Sequence, residues 1–184
     1  MCLVDGDRPP EAFCDQTIIE TKQERQDRFR SIIVDAADVV YDPAEKPIGI
    51  FNPEYQREAS LFVVIGLSYM ESIGYRKDVD AGIKRGDHGR SWCVMQIHIG
   101  NGKTKEGWTG PELISDRKKC FRSGYKSVKL SFGACWNKPI DQRLNAYASG
   151  NCEDGIKESK ERMNFGIWLF NKAPRIKDKD IWLN

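Results

Sequence analysis

The segment over residues 59–70 constrains the fold of this chain most, because it is apolar on nearly every side. A helix that is apolar all round is buried at the centre of a domain. Its apolar side chains are Leu61, Phe62, Val63, Val64, Ile65, Leu67, Tyr69 and Met70. Asn52 and Pro53 predict the start of this helix, as an N-cap followed by a proline, and Gly74 is a stop signal. Glu71 is therefore expected in the last turn of a buried helix.

Glu71 in that position has the properties of a general acid. A carboxylate in a last helical turn faces the negative end of the helix dipole. Partial burial beside Tyr69 and Met70 would remove water from it. Both effects favour the protonated form and raise the pKa, which is what proton donation near neutral pH requires. The alternative is an ordinary glutamate that reaches solvent from the end of a helix.

Charge is distributed unevenly along the chain. The 184 residues carry a net charge of +2, which does not suggest a nucleic-acid binder. Residues 1–83 hold 9 basic and 16 acidic side chains, whereas residues 84–130 hold 11 basic and 4 acidic ones. The central basic block predicts either affinity for an anionic polymer or a solvated helix face. No apolar run approaches the roughly 20 residues of a membrane span, and the first ten residues lack the apolar stretch of a secretory signal.

The remaining pattern predicts an α+β fold that is predominantly α-helical. A helix over residues 17–40 carries an apolar stripe of Phe29, Ile32, Ile33, Ala36, Ala37 and Val40. A small irregular β region is expected around residues 76–100, with an extended piece at 93–99. Helices follow over 112–132, from a capping box at Thr109, then over 139–150, and finally along Ile156, Met163, Ile167 and Phe170. We expect an arm and helix at 1–50, a central domain at 51–172 and a charged tail at 173–184.

Three short motifs in this pattern resemble signatures of the lysozyme-like superfamily. They are Glu71-Ser72, Val94-Met95-Gln96-Ile97 and Asn145-Ala146-Tyr147-Ala148-Ser149-Gly150. In lytic transglycosylases and goose-type lysozymes the corresponding motifs read Glu-Ser, Gly-Leu-Met-Gln-Ile and Ala-Tyr-Asn-Ala-Gly, in the same order. The resemblance implies a lysozyme-like fold with an extra N-terminal helix. It also implies cleavage of the β-1,4 bond between N-acetylmuramic acid and N-acetylglucosamine in peptidoglycan.

The resemblance also implies a role for each matching residue. Glu71 would be the catalytic acid, Ser72 would support it, and Tyr147 would bring its hydroxyl near Glu71 and orient it. The residues expected to bind substrate are Ser72, Trp92, Met95, Gln96 and Asn145. Trp92 and Trp108 flank the Met-Gln segment, where an indole either stacks on a sugar or packs in the core. The sequence departs from the family at Cys93, which replaces a glycine, and at Ala148 and Ser149.

A second carboxylate would decide the mechanism. Asp87 precedes Met95 by eight residues, an offset at which goose-type lysozymes have an aspartate proposed to position the attacking water. Asp87 is therefore the candidate general base, with Asp78 and Asp80 as alternatives. Without a base, the substrate's own 6-hydroxyl would attack, as in a lytic transglycosylase. Loop capping or solvation is the alternative role for each aspartate.

Six cysteines predict disulfides. We expect a Cys120–Cys152 bridge across a helical hairpin. We disfavour Cys120–Cys135, because a helix rises about 1.5 Å per residue and these two cysteines would lie at its opposite ends. A thiol peptidase or zinc site at Cys93 is disfavoured, because both histidines lie within five residues of it. A calcium loop at Asp78 lacks essential ligands. No metal or cofactor is expected.

The expected partner is the peptidoglycan glycan strand, with neither nucleic-acid binding nor membrane insertion. Disulfides without a secretory signal fit a bacteriophage protein made in the host cytoplasm that acts on the cell wall in the periplasm. It would be an endolysin, expected to be a monomer, or a virion-associated enzyme that meets other virion proteins. The alternative is a catalytically inactive wall-binding or structural virion component on the same fold.

Overall fold

The computed structural model describes residues 18–172, which form a mostly helical fold with one small antiparallel sheet. This confirms the predicted α+β, predominantly α-helical class. The expected arm over 1–15 and the expected tail from 173 lie outside the described residues. The elements are α1 (Lys22–Val40), α2 (Gln56–Glu71), α3 (Lys77–Asp80), β1 (Ser91–Trp92), β2 (Ile97–His98), α4 (Gly110–Ser115), α5 (Arg117–Ala134), α6 (Asn145–Ser149) and α7 (Ile156–Lys172), with short 3-10 turns at Asp87–Gly89 and Ile140–Gln142.

Helix α2 is the central buried helix that the sequence predicts. Val64 and Leu67 are fully buried in it, whereas Met70 near its end is 38% exposed. The predicted start at Asn52 is wrong, because the Asn52 side-chain oxygen accepts from the Glu54 backbone N–H and closes a turn. The helix begins after that turn and ends at Glu71, so the predicted position of Glu71 in the last turn is confirmed.

Helices α2 and α7 cross at unusually close range because glycines meet at the crossing. A Cβ atom added to Gly66 would lie 2.7 Å from the backbone nitrogen of Gly166. Ring contacts on either side of the crossing join Phe62 to Phe170 and Tyr69 to Phe165, so the helices run antiparallel. The C-terminal end of α2 therefore lies beside the N-terminal half of α7.

Helix α1 begins later than predicted, after a capping box in which Thr21 and Glu24 bond to each other's backbone. Its buried residues are Ile32, Ala36, Val39 and Val40, and Ile33 is 40% exposed. The predicted apolar stripe is thus correct at Ile32, Ala36 and Val40 and wrong at Ile33. The side of α1 that contacts α2 and α5 does not include Ile33.

The β region is a hairpin in which Ser91 pairs with His98 and Trp92 with Ile97. The predicted extended piece over 93–99 is wrong for residues 93–96, which form the tight turn of the hairpin. Cys93 and Gln96 both have positive φ there. The predicted helix over 112–132 is two helices, because the Asp116 carboxylate caps a new start at the Lys118 and Lys119 N–H groups.

Two disulfides link elements of the described region, Cys93–Cys120 and Cys135–Cys152. The predicted Cys120–Cys152 bridge is wrong. The segment over 139–150 is a 3-10 turn and a five-residue helix rather than one helix running back along α5. Cys152 therefore lies beside the C-terminal end of α5 and bonds to Cys135. Cys120, in the first turn of α5, bonds to Cys93 of the hairpin. Within residues 18–172, no helix combines the length and apolar character that a membrane crossing requires.

Candidate active site

A cleft of about 1000 Å³ lies at the C-terminal end of α2. Its walls come from the loop before β1, the hairpin, one face of α5, helix α6 and the N-terminal half of α7. Glu71 and Asp87 are the two carboxylates among the described residues that line it. The cleft thus brings together the predicted acid and the predicted base, although they are distant in sequence.

Glu71 is the more buried of the two carboxylates, with 14% of its side chain exposed. Burial raises the pKa of Glu71, while the positive charge and hydrogen bond of Arg162 lower it, and the negative charge of Asp87 raises it further. The net shift is upward. The predicted upward shift therefore rests mainly on loss of water around the carboxyl group, which favours its protonated form.

Arg162 is the residue that holds Glu71, and no pattern in the sequence indicates this role. Its Nη2 atom lies 2.7 Å from Oε1 of Glu71, and 14% of its side chain is exposed. Its Nε and Nη1 atoms are buried and have no hydrogen-bond partner in the described part of the chain. Arg162 adjoins the predicted core residue Met163 on α7. Its contact with α2 depends on the crossing of two helices distant in sequence, which no local pattern reveals.

Asp87 differs from Glu71 in both exposure and pKa, since its side chain is exposed and its pKa is lowered. It lies in a loop with φ of 48°, a left-handed conformation that costs free energy for a non-glycine residue. The Ser91 hydroxyl donates to Oδ2 of Asp87 at 2.5 Å, and Nδ1 of His98 lies 3.3 Å from the same oxygen. The Ser91 hydrogen bond is the main cause of a lowered pKa of Asp87. Two carboxyl groups with opposite pKa shifts in one cleft can divide acid and base roles.

Tyr147 lines the cleft beside Glu71, as predicted, but its hydroxyl hydrogen-bonds to another partner than the Glu71 carboxyl group. The hydroxyl donates to the backbone oxygen of Met95 and so joins α6 to the turn of the hairpin. Burial raises the pKa of Tyr147 well above its usual value, and the charge of Glu71 adds to this shift. In this structure Arg162, rather than Tyr147, fixes the Glu71 carboxyl group.

The motif Val94-Met95-Gln96-Ile97 contributes two side chains, Gln96 and Ile97, to the lining of the cleft. Gln96 lines it, and both ends of its amide are occupied, since Oε1 accepts from the Gly86 N–H and Nε2 donates to the Cys93 oxygen. Met95 is fully buried and packs so tightly that a Cβ atom on Gly124 would lie 2.4 Å from its Cε. Met95 therefore packs behind the wall of the cleft. It does not line the groove, although the resemblance implied that it would.

Ser72 and Asn145 are fully buried and do not line the cleft. The Ser72 hydroxyl donates to the Ser68 oxygen at 2.6 Å and accepts from the Tyr75 N–H, which ends α2 directly after Glu71. The Asn145 amide donates to the Cys152 oxygen at 2.9 Å. Both residues fix the backbone that carries the cleft, and neither is positioned to contact a sugar.

Trp92 also lies outside the cleft lining. Arg85 covers its indole ring at 4.2 Å, and a Cβ atom on Gly110 would lie 2.1 Å from the ring. The Trp92 ring is therefore packed between the loop before β1 and the start of α4. Stacking on a sugar would require Arg85 to leave this ring.

The alternative bases Asp78 and Asp80 are held in ion pairs away from the cleft lining. Asp78 is buried with Arg76 at 2.6 Å. Asp80 lies 3.2 Å from Arg117 on α5 and 3.9 Å from Arg28 on α1. The contact with Arg28 joins Asp80 to the first helix, and these pairs leave Asp87 as the aspartate in the cleft lining.

Four basic residues give the loop side of the cleft a positive charge. We call Lys84, Arg85, Arg90 and Lys105 the cationic wall, and all four are exposed. The α5 side carries small or apolar residues instead, including Ser127 and Ala134. One side of the cleft can therefore attract anionic groups while the other packs against an uncharged surface.

No protein-family model matches the chain, and comparisons with curated proteins and with solved structures found no significant match. Among residues 18–172, no group of three or more histidine, cysteine or carboxylate side chains is gathered as a metal site would require.

Proposed function

We propose that this protein is a glycosidase that cleaves the β-1,4 bond between N-acetylmuramic acid and N-acetylglucosamine in peptidoglycan, with Glu71 as the general acid. The observation that carries the proposal is the buried Glu71 carboxyl group, with a raised pKa, inside an open cleft. A protonated carboxyl group facing a groove is the group that must protonate the oxygen of a departing sugar.

Arg162 is placed to stabilise Glu71 after Glu71 has given up its proton. When Glu71 gives up its proton, a negative charge appears in a poorly hydrated site. The guanidinium at 2.7 Å offsets that charge without rearrangement of the protein, so the ionised acid is stabilised after the leaving group departs. Arg162 contacts Oε1 of Glu71, and in this proposal Oε2 carries the acidic proton.

The substrate class is supported by the shape and charge of the cleft. The cleft opens to solvent between a hairpin and a helical wall, so a glycan strand can enter it. The cationic wall suits the lactyl and peptide carboxylates of peptidoglycan better than a neutral glycan.

A lysozyme-like fold is part of the same proposal. Its support is the set of motifs around the cleft, with Glu71 ending a central helix, Gln96 in a hairpin turn and Tyr147 on a short helix. These three line the cleft, as do Ile97, Ala146, Ala148, Ser149 and Gly150 of the same motifs. Met95 contacts Tyr147 from behind the cleft through a backbone hydrogen bond.

The test is digestion of purified peptidoglycan by the wild type and by Glu71→Gln. Glutamine keeps the shape and the hydrogen bond to Arg162 but has no acidic proton, so we expect the rate to fall by about 1000-fold. Glu158→Gln, at an exposed position of α7, is the matched control and should digest at the wild-type rate.

A wild type that digests peptidoglycan no faster than Glu71→Gln would overturn the enzyme proposal. In that case binding of both proteins to intact cell walls would favour the inactive wall-binding component instead.

A further inference from the structure

We propose that His98, oriented by Asp87, is the general base that activates the attacking water. This inference rests on the proposed function and makes the reaction a hydrolysis. It changes the role expected for Asp87, which becomes a positioning residue that acts through the imidazole ring.

The contact between Asp87 and His98 carries the inference. Nδ1 of His98 lies 3.3 Å from Oδ2 of Asp87, and both side chains line the cleft that holds Glu71. The hairpin fixes this geometry, since Ser91 and His98 are paired across the two strands. The Ser91 hydroxyl donates to the same carboxylate oxygen at 2.5 Å and prevents it from turning away.

The chemistry of the pair determines which ring nitrogen is the base. An ionised carboxylate can only accept hydrogen bonds, so Nδ1 of His98 must carry the hydrogen that faces Asp87. Nε2 then has a free lone pair that can take a proton. With half of its side chain exposed, His98 keeps contact with solvent, which supplies the water.

The proposed step balances as a simple hydrolysis. The water oxygen forms a bond to the anomeric carbon while the bond from that carbon to the glycosidic oxygen breaks. His98 Nε2 takes one proton from the water, and Glu71 gives its proton to the leaving oxygen. Solvent then returns the proton from the imidazolium to Glu71, so one water is consumed and no electrons are exchanged.

Other titratable and charged groups line the cleft around this imidazole. They are the cationic wall and His88 from the surrounding loops, Asp87 itself, and Glu71 and Arg162 from α2 and α7. The face of α5 that lines the cleft carries no charged residue. A pH profile must therefore be compared with that of a variant that lacks the second histidine.

The experiment measures the rate and products of peptidoglycan digestion for His98→Asn and for the control His88→Asn. Asparagine at 98 retains a donor near the position of Nδ1 but removes the basic Nε2, so we expect kcat to fall about 100-fold or more. His88 has φ of 55°, a conformation that asparagine tolerates well, so this control should fold and digest normally.

The pH profile separates a histidine base from a carboxylate base. An imidazole accepts protons down to about pH 6.5, whereas a carboxylate continues to about pH 4. An acid limb that extends into the carboxylate range would therefore exclude a histidine base. Asp87→Asn should lower kcat and leave KM unchanged, because the imidazole loses the acceptor that orients it while the walls of the cleft are kept. A purely structural role of Asp87 would change KM as well.

The outcomes distinguish this inference from the proposed function. Digestion that depends on Glu71 but survives in His98→Asn, or that has its acid limb near pH 4, overturns the histidine base and leaves the glycosidase. Anhydro products also overturn it, since no water is then activated. A wild type without glycan cleavage overturns the proposed function itself.

Discussion

Glu71 and Asp87 show how position on the backbone gives two carboxyl groups different properties. Glu71 ends a buried helix and loses its water, which raises its pKa. Asp87 lies in an exposed loop and gains hydrogen bonds from Ser91 and His98, which lower its pKa. The first carboxyl group therefore holds its proton to higher pH than the second, which favours Glu71 as the acid.

The pH dependence of the proposed reaction should respond to Arg162. A general acid works only while protonated, so activity is lost as pH rises through the pKa of Glu71. Arg162 lowers that pKa, and Arg162→Gln should therefore move the basic limb of the rate to higher pH. We expect the rate at the optimum to fall about tenfold, because the carboxyl group is positioned less firmly.

The control for this prediction removes a charge from the same helix outside the cleft. Lys157 is 82% exposed, and Lys157→Gln should leave both limbs unchanged. A basic limb that stays in place in Arg162→Gln would mean that the pair does not set the protonation of Glu71.

At the residue scale, the sequence predicted what local patterns determine. The position of Glu71 follows from the apolar run before it and Gly74 after it. Arg162 and His98 gained their roles through contacts that a single helix or strand does not reveal. The motif resemblance assigned groove contacts to Met95, Ser72 and Asn145, but complete burial removes all three from the lining.

At the element scale, the close crossing of α2 and α7 determines the distance between Glu71 and Arg162. Gly66 lies five residues before the acid, and Gly166 lies four residues after its partner. Because the helices are antiparallel, the two charged groups meet on the same side of the crossing. The packing of these two glycines therefore positions the candidate site.

Gly66→Ala should destabilise the protein. The added Cβ would lie 2.7 Å from backbone atoms of Gly166, so the helices must separate at a cost of about 1–3 kcal/mol in the free energy of unfolding. Gly133→Ala is the matched control, since nothing lies within 4 Å of its added Cβ in α5, and it should stabilise by about 0.5–1 kcal/mol. Equal effects of both changes in urea denaturation would refute this role of the crossing.

The elements themselves were mostly predictable, and their ends were less so. The capping box at Thr109 and Glu112 is confirmed because it is a local signal. Asp116 divides the predicted long helix, because its side chain caps a new helix start. This cap is also a local signal, but the apolar periodicity continues on both sides of it and therefore predicts a single helix. The exposed Ile33 shows that contacts with neighbouring helices decide which side of an amphipathic stripe is buried.

At the scale of the whole molecule, the two disulfides within residues 18–172 hold the walls of the cleft. Cys93–Cys120 ties the hairpin turn to α5, and Cys135–Cys152 ties the far end of α5 to the loop after α6. Their pairing could not be predicted from the sequence, because it depends on how the short segment over 139–150 leaves α5 and returns.

Removal of either disulfide should cost stability, but the two should differ in their effect on activity. Replacing both cysteines of a pair by alanine should lower the free energy of unfolding by about 3 kcal/mol in each case, since the closed loops are similar in length. Loss of Cys93–Cys120 should also lower the digestion rate, because its turn carries Gln96 and the Met95 oxygen. Equal rates for the two variants at a temperature where both are folded would contradict this distinction.

The most direct test of the central claim is mass spectrometry of the fragments that the wild type releases from purified peptidoglycan. We expect disaccharide-peptides cut between N-acetylmuramic acid and N-acetylglucosamine, with an intact reducing end, and none from Glu71→Gln. Fragments cut in the peptide or at its amide link to the sugar, or no fragments at all, would contradict a glycosidase that uses Glu71 as its acid.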